Sequence, residues 1–160
     1  QRTFTNNADG DDVKARYKKT AEGLLASTPT LEFTQLGHWK AAQFAQLGAA
    51  LRLTRALETL VLYQMPLDDE GARALVPALP RTLKTLKLES HSLTALPALP
   101  ALPSLQTLNL VGCDSLTALP DLSALSSLQT LKLLDCMSLT AEAKAAATRQ
   151  LPSGAKVEEW

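Results

Sequence analysis

A chain of 160 residues is long enough for one domain with a sizeable core. Its 16 basic residues balance 16 acidic ones, which removes the basic footprint of a nucleic-acid or anionic-membrane binder. The composition is 46% hydrophobic but only 4% aromatic, so Leu and Ala must fill the interior, and no apolar run approaches the roughly 18 to 20 residues that span a bilayer.

Taken in chain order, residues 1–10 read as a mobile segment whose start, Gln1-Arg2-Thr3-Phe4, is not a secretory signal. Residues 11–27 follow as an N-terminal capping helix with Val13, Tyr17, Ala21, Leu24 and Leu25 on one face. The basic cluster Lys14, Arg16, Lys18 and Lys19 falls on its solvated side, and Ser27-Thr28-Pro29 stops it.

A first strand is expected at Thr30-Leu31-Glu32-Phe33, followed by a helix carrying Trp39, Phe44, Leu47 and Leu51, with His38-Trp39 anchoring the first repeat through the indole. A second strand, Thr59-Leu60-Val61-Leu62, leads to a short helix over 68–79, with Asp68 as N-cap and Leu75, Val76 and Leu79 as its apolar stripe. The strands Thr85-Leu86-Lys87-Leu88 and Thr107-Leu108-Asn109-Leu110 return through Leu-Pro steps at 96–103 and 119–120. Prolines at that spacing forbid an α-helix. After Thr130-Leu131-Lys132-Leu133, Thr140 can cap an alanine-rich helix reaching about Gln150. Pro152-Ser153-Gly154 then turns into an edge strand at Lys156-Val157-Glu158.

The five threonine-led strands are the organising signal. Their first leucines are separated by 29, 26, 22 and 23 residues, a period that marks repetition of one supersecondary unit. Leu105-Gln-Thr-Leu108-Asn-Leu110-Val-Gly-Cys113 and Leu128-Gln-Thr-Leu131-Lys-Leu133-Leu-Asp-Cys136, each followed by a further leucine, match the leucine-rich repeat pattern. The expected fold is therefore an α/β leucine-rich repeat solenoid. A curved parallel sheet lines its concave side, and short helices or proline-rich extended returns form its convex side. Repeats occupy 28–139, and a C-terminal cap of helix plus edge strand occupies 140–160.

In each repeat the slot after the strand is expected to face inward, and Met65, His91, Cys113 and Cys136 fall in it. Three such side chains in a ladder with steps of about 4.8 Å form a row rather than a tetrahedron, so core packing is preferred over zinc. A cysteine among leucines with no activating histidine is not a nucleophile, and two cysteines make no disulfide scaffold. The carboxylate pairs Asp11-Asp12, Asp68-Asp69 and Glu158-Glu159 suit helix starts and exposed ends. No catalytic, metal or cofactor site is read from the chain.

What remains is the set of side chains that alternation turns away from the core. The threonine column suits stacked β-branched residues on neighbouring strands. The variable positions Glu32, Thr34, Val61, Tyr63, Lys87, Glu89, Asn109, Val111, Lys132 and Leu134 compose the candidate partner-binding face, with Tyr63 as its expected hot spot.

The form Leu-x-x-Leu-x-Leu-x-x-Cys-x-x-Leu-x-x-Leu-Pro at 105–120 resembles repeats of plant immune receptors and of bacterial effectors that mimic host proteins. The lead-in, helix Lys19-Thr20-Ala-Glu-Gly-Leu24-Leu25 and then strand Thr30-Leu-Glu-Phe33, resembles the entry into the repeat domain of XopL-type effectors, type III secreted proteins of plant-pathogenic bacteria. The Leu-Pro-Ala-Leu-Pro steps are more faintly similar to IpaH-type ligase effectors, from which the helical returns and longer repeats depart. The resemblance implies a target-recognition arm secreted into the host cytoplasm, with a host protein as partner. In that family a separate C-terminal domain acts as a ubiquitin ligase, and no catalytic role carries over to this chain. The alternative is a regulatory or dimerisation scaffold for another domain of a longer chain.

Overall fold

The structure, a computed structural model, describes residue 20 and residues 23–159. The expected mobile segment 1–10, most of the expected capping helix with its basic cluster, and Trp160 lie outside the described residues. Residues 23–27 of that expected helix are helical.

Six strands form one parallel sheet in sequence order: β1 (Thr30–Thr34), β2 (Thr59–Tyr63), β3 (Thr85–Leu88), β4 (Thr107–Asn109), β5 (Thr130–Lys132) and β6 (Lys156–Glu158). Helix α1 (Ala41–Leu51) connects β1 to β2. Helix α2 (Asp69–Leu75), running on into a 3₁₀ turn over Val76–Ala78, connects β2 to β3. Helix α3 (Ala141–Gln150) connects β5 to β6. The β3–β4 and β4–β5 returns hold no helix, and the bridge Ala95↔Ala118 ties these two returns to one another. Prolines 97, 100, 103 and 120 account for this, since each removes a backbone donor and disfavours helix in the residue before it.

The register is set threonine on threonine. Thr30, Thr59, Thr85, Thr107 and Thr130 stand in one row that Lys156 completes. One backbone device repeats at the strand entries. The carbonyls before the first four threonines each accept two N–H groups from the next repeat, as Lys84 O does from Gln106 N (2.8 Å) and Thr107 N (3.0 Å). Pro29, Glu58 and Gln106 carbonyls do the same for the strands that follow them. A proline can serve at position 29 because only its acceptor is used.

Alternation places the leucines beneath the sheet. Leu60, Leu86, Leu108 and Leu131 are fully buried, as are Leu57, Leu83, Leu105 and Leu133. Each such side chain contributes about 1.5–3 kcal/mol of burial. At the first strand Leu31 and Phe33 are half-buried, and Phe33 joins an aromatic run in which Trp39 lies 5.3 Å from Phe33 and 5.3 Å from Phe44. Helices α1 and α2 pack closely because Gly71 lacks a side chain: a Cβ there would stand 2.7 Å from the Phe44 ring. Asp68 caps α2 by accepting from Gly71 N at 2.8 Å, and Thr140 caps α3 by accepting from Ala143 N at 3.2 Å. Both caps, the aromatic anchor and the edge strand agree with the sequence reading.

One expectation is overturned. His91 does not face inward: its side chain is 65% exposed and bonds Asp114 at 2.9 Å. Ser90 fills the slot instead, 1% exposed, and donates its hydroxyl to Leu67 O at 2.8 Å. The reason lies in the backbone. Gln35 (φ 55°), Gln64 (φ 51°), Gly112 (φ 75°) and Asp135 (φ 58°) occupy the equivalent position after their strands and adopt the left-handed conformation. That conformation spends one residue on the turn, so the next residue, Met65, Cys113 or Cys136, enters the core. Ser90 is not left-handed, and the third repeat turns inward one residue sooner. The cysteines behave as expected, with Cys113 Sγ donating to Leu88 O (3.4 Å) and Cys136 Sγ to Leu110 O (3.1 Å).

Candidate functional site

The open face of the sheet collects the variable side chains into rows. Register aligns Glu32, Val61, Lys87, Asn109 and Lys132, and adds Glu158 at the far edge. A second row begins with Thr34 beside Tyr63. Backbone bonds carry it past the strand ends: Glu89 N donates to Leu62 O (2.9 Å), Met65 N to Glu89 O (3.2 Å) and Gly112 N to Leu134 O (3.0 Å). Glu89, Val111 and Leu134 thereby extend the row, and all ten sequence-selected residues come to one face.

Their surroundings differ. Glu32 and Thr34 are exposed, while Val61, Tyr63, Lys87, Glu89, Val111, Lys132 and Leu134 are half-buried. The centre is a linked cluster. Lys87 Nζ lies 4.7 Å from the centroid of the Tyr63 ring and 3.9 Å from Glu89 Oε2. The Glu89 stem in turn lies over Gly112, where a Cβ would meet Glu89 Cγ at 3.0 Å. Lys132 is held by Glu158 at 2.7 Å. Asn109 turns back on its own loop, its Oδ1 accepting from Val111 N at 3.0 Å, so that one acceptor serves the backbone.

Sequence reasoning left three participants out of the site. Glu158 shares a row with Lys132, and aligning Lys156-Val157-Glu158 on Thr130-Leu131-Lys132 would have found it. Gln35 and Gln64 form a bond from Gln35 Nε2 to Gln64 Oε1 (2.8 Å), and Gln64 Nε2 reaches Tyr63 Oη at 3.4 Å. Their equivalence was legible in the spacing from each threonine, but the left-handed turn that aims them was not.

Two other clusters bear on chemistry. Burial pushes the Cys113 thiol up to about 12, and Cys136 is raised for the same reason. Thiolate chemistry at neutral pH is thereby suppressed. The adjacent Asp114 is directed outward to His91, whose carbonyl accepts the Ser115 hydroxyl at 2.6 Å. Among the described residues, no group of three or more His, Cys, Asp or Glu is placed to hold a metal ion, and no helix is long and apolar enough to cross a membrane.

The face therefore offers half-buried apolar and aromatic surface beside charges already compensated by neighbours. Covering its centre leaves Lys87 with Glu89 and Lys132 with Glu158. Comparison of the chain with protein-family models, with curated proteins and with solved structures finds no match.

Proposed function

We propose that this chain is a leucine-rich repeat solenoid whose open sheet face is a protein-binding surface. The observation that carries the reading is the in-register stacking of the threonine and leucine positions, which leaves the changing residues between them together on one face. Scaffold positions repeat and surface positions vary, the division of labour expected of a repeat-built recognition module. Tyr63 is its centre, because an aromatic ring held between a cation and an amide combines large contact area with little side-chain freedom to lose.

With the resemblance to XopL-type effectors, the reading extends to the target-recognition domain of a secreted bacterial effector, acting on a host protein in the host cytoplasm. The same resemblance connects it to host ubiquitination through a ligase domain elsewhere in such proteins. The burial of both cysteines supports a binding role rather than a catalytic one for the repeats themselves.

The test is capture of partners from host-cell extract by the wild-type chain and by two variants, Lys87→Glu with Lys132→Glu, and Tyr63→Ala with Leu134→Arg. Both variants should lose the captured protein while keeping the circular dichroism of the wild type. Capture that survives in both folded variants would place recognition off this face.

A further inference from the structure

A different surface carries a distinct charge pattern. Three arginines, Arg52, Arg55 and Arg81, line one cavity of about 370 Å³ at the C-terminal end of α1, although the chain as a whole is neutral. Arg52 and Arg55 also border a second cavity of about 220 Å³, together with Leu53. All three arginines are exposed, and Leu53, beside Arg52 and Arg55, is a large apolar side chain left 42% exposed.

Two threonines lining the larger cavity bond backbone carbonyls, one local and one from the preceding repeat. Thr54 Oγ1 donates to Leu51 O at 2.6 Å, and Thr82 Oγ1 donates to Leu57 O at 2.6 Å. Among the described residues, no carboxylate comes within ion-pair distance of the three guanidinium groups. Glu58, the acid nearest to Arg52 and Arg55 along the chain, is held by Lys84 at 2.7 Å. Favourable interaction with the end of α1 accounts for cations at 52 and 55. It does not account for Arg81, which arrives from the following repeat, nor for the exposed leucine.

We propose that this edge is a second docking surface that takes an acidic protein segment bearing a large apolar side chain. The guanidinium forks would pair with its carboxylates, and Leu53 with the cavity walls would receive the apolar group. Charge complementarity selects the acidic partner. The exposed leucine favours a peptide over a nucleic acid, whose phosphates have no use for it. The surface is separate from the open sheet face, so the two readings stand or fall independently.

The experiment is fluorescence anisotropy with a short fluorescein-labelled peptide of alternating Asp and Glu around one Leu, set beside poly-uridine RNA and the same peptide with Leu replaced by Ser. The acidic Leu peptide should bind wild type, with affinity falling as salt rises. Arg52→Glu with Arg55→Glu and Arg81→Glu should weaken it by about tenfold or more, as expected when several exposed ion pairs become repulsions. Leu53→Ser and the Ser peptide should each weaken it further than salt alone explains. The milder triple change to Gln, monitored by circular dichroism, provides a folded variant that should lose binding in the same direction. Undiminished binding by the folded Gln variant overturns the proposal. RNA binding as tight as the peptide, or no effect of either Leu change, overturns the assignment to an acidic-apolar segment. Loss of peptide binding in Lys87→Glu with Lys132→Glu would instead return the site to the open face.

Discussion

The ammonium of Lys87 sits over the ring of Tyr63, 4.7 Å from its centroid, joining two side chains from adjacent strands that share no sequence proximity. The contact holds the Tyr63 ring in place on the open face. It also pairs Lys87 with an aromatic partner on one side and Glu89 on the other.

A double-mutant cycle on Tyr63→Leu and Lys87→Met should return a coupling energy of about 0.5–1 kcal/mol, the range for a cation over an aromatic ring at a partly exposed site. Urea unfolding of the four proteins measures it. Additive effects would mean that the two side chains do not hold one another in solution.

Ser90 should matter more than its neighbour His91. Ser90→Ala strands the buried Leu67 carbonyl and should cost about 1–3 kcal/mol. His91→Ala removes an exposed pair and should stay within about 0.5 kcal/mol of wild type. Ser90→Cys should fold, since Cys113 and Cys136 already fill the equivalent slots with thiols bonded to carbonyls. Denaturation midpoints rank the three.

Cys113 should resist thiol reagents in the folded protein. Burial raises its thiol to about 12, so at pH 8 almost none is thiolate and the sulfur is also out of contact with solvent. Ellman's reagent should find neither cysteine in native buffer and both in guanidinium. Rapid native labelling at Cys113 would contradict its placement in the core.

Asp69 should contribute an acid-sensitive part of the stability. Its carboxylate accepts from Thr94 Oγ1 (2.6 Å), Thr94 N (2.8 Å) and Ala95 N (3.1 Å), tying α2 to the next return. These bonds, chiefly the Thr94 hydroxyl, hold it below the usual carboxylate range. A carboxylate lowered in the folded state stabilises above its unfolded value and loses that contribution as pH falls through the folded one. Asp69→Ala should therefore be less stable than wild type at pH 7, with the gap shrinking on acidification below about pH 4. Urea midpoints at the two ends of that range check it, and a constant gap would sever the link to ionisation.

Much of the scaffold was legible because its determinants are local and repeated. Thr-Leu-x-Leu dictates which residues of a strand point inward, wherever that strand lies, and prolines dictate where a helix cannot form. With the capping preference of Asp68 and Thr140, these local signals were enough to read the strands, the helical and non-helical returns, and the ten residues of the open face. The positions after each strand were not legible in this way. Whether a residue enters the core there depends on one backbone torsion, left-handed at Gln35, Gln64, Gly112 and Asp135 but not at Ser90. Ser90 and His91 exchanged roles on that account, although Ser90-x-x-Leu93 carries the spacing of Cys113-x-x-Leu116. The pairings that tune the face were equally hidden: Lys87 with Tyr63, Lys132 with Glu158 and Gln35 with Gln64 join residues 24, 26 and 29 positions apart. They exist because parallel strands bring each repeat beside the next, a distance that the order of letters does not express.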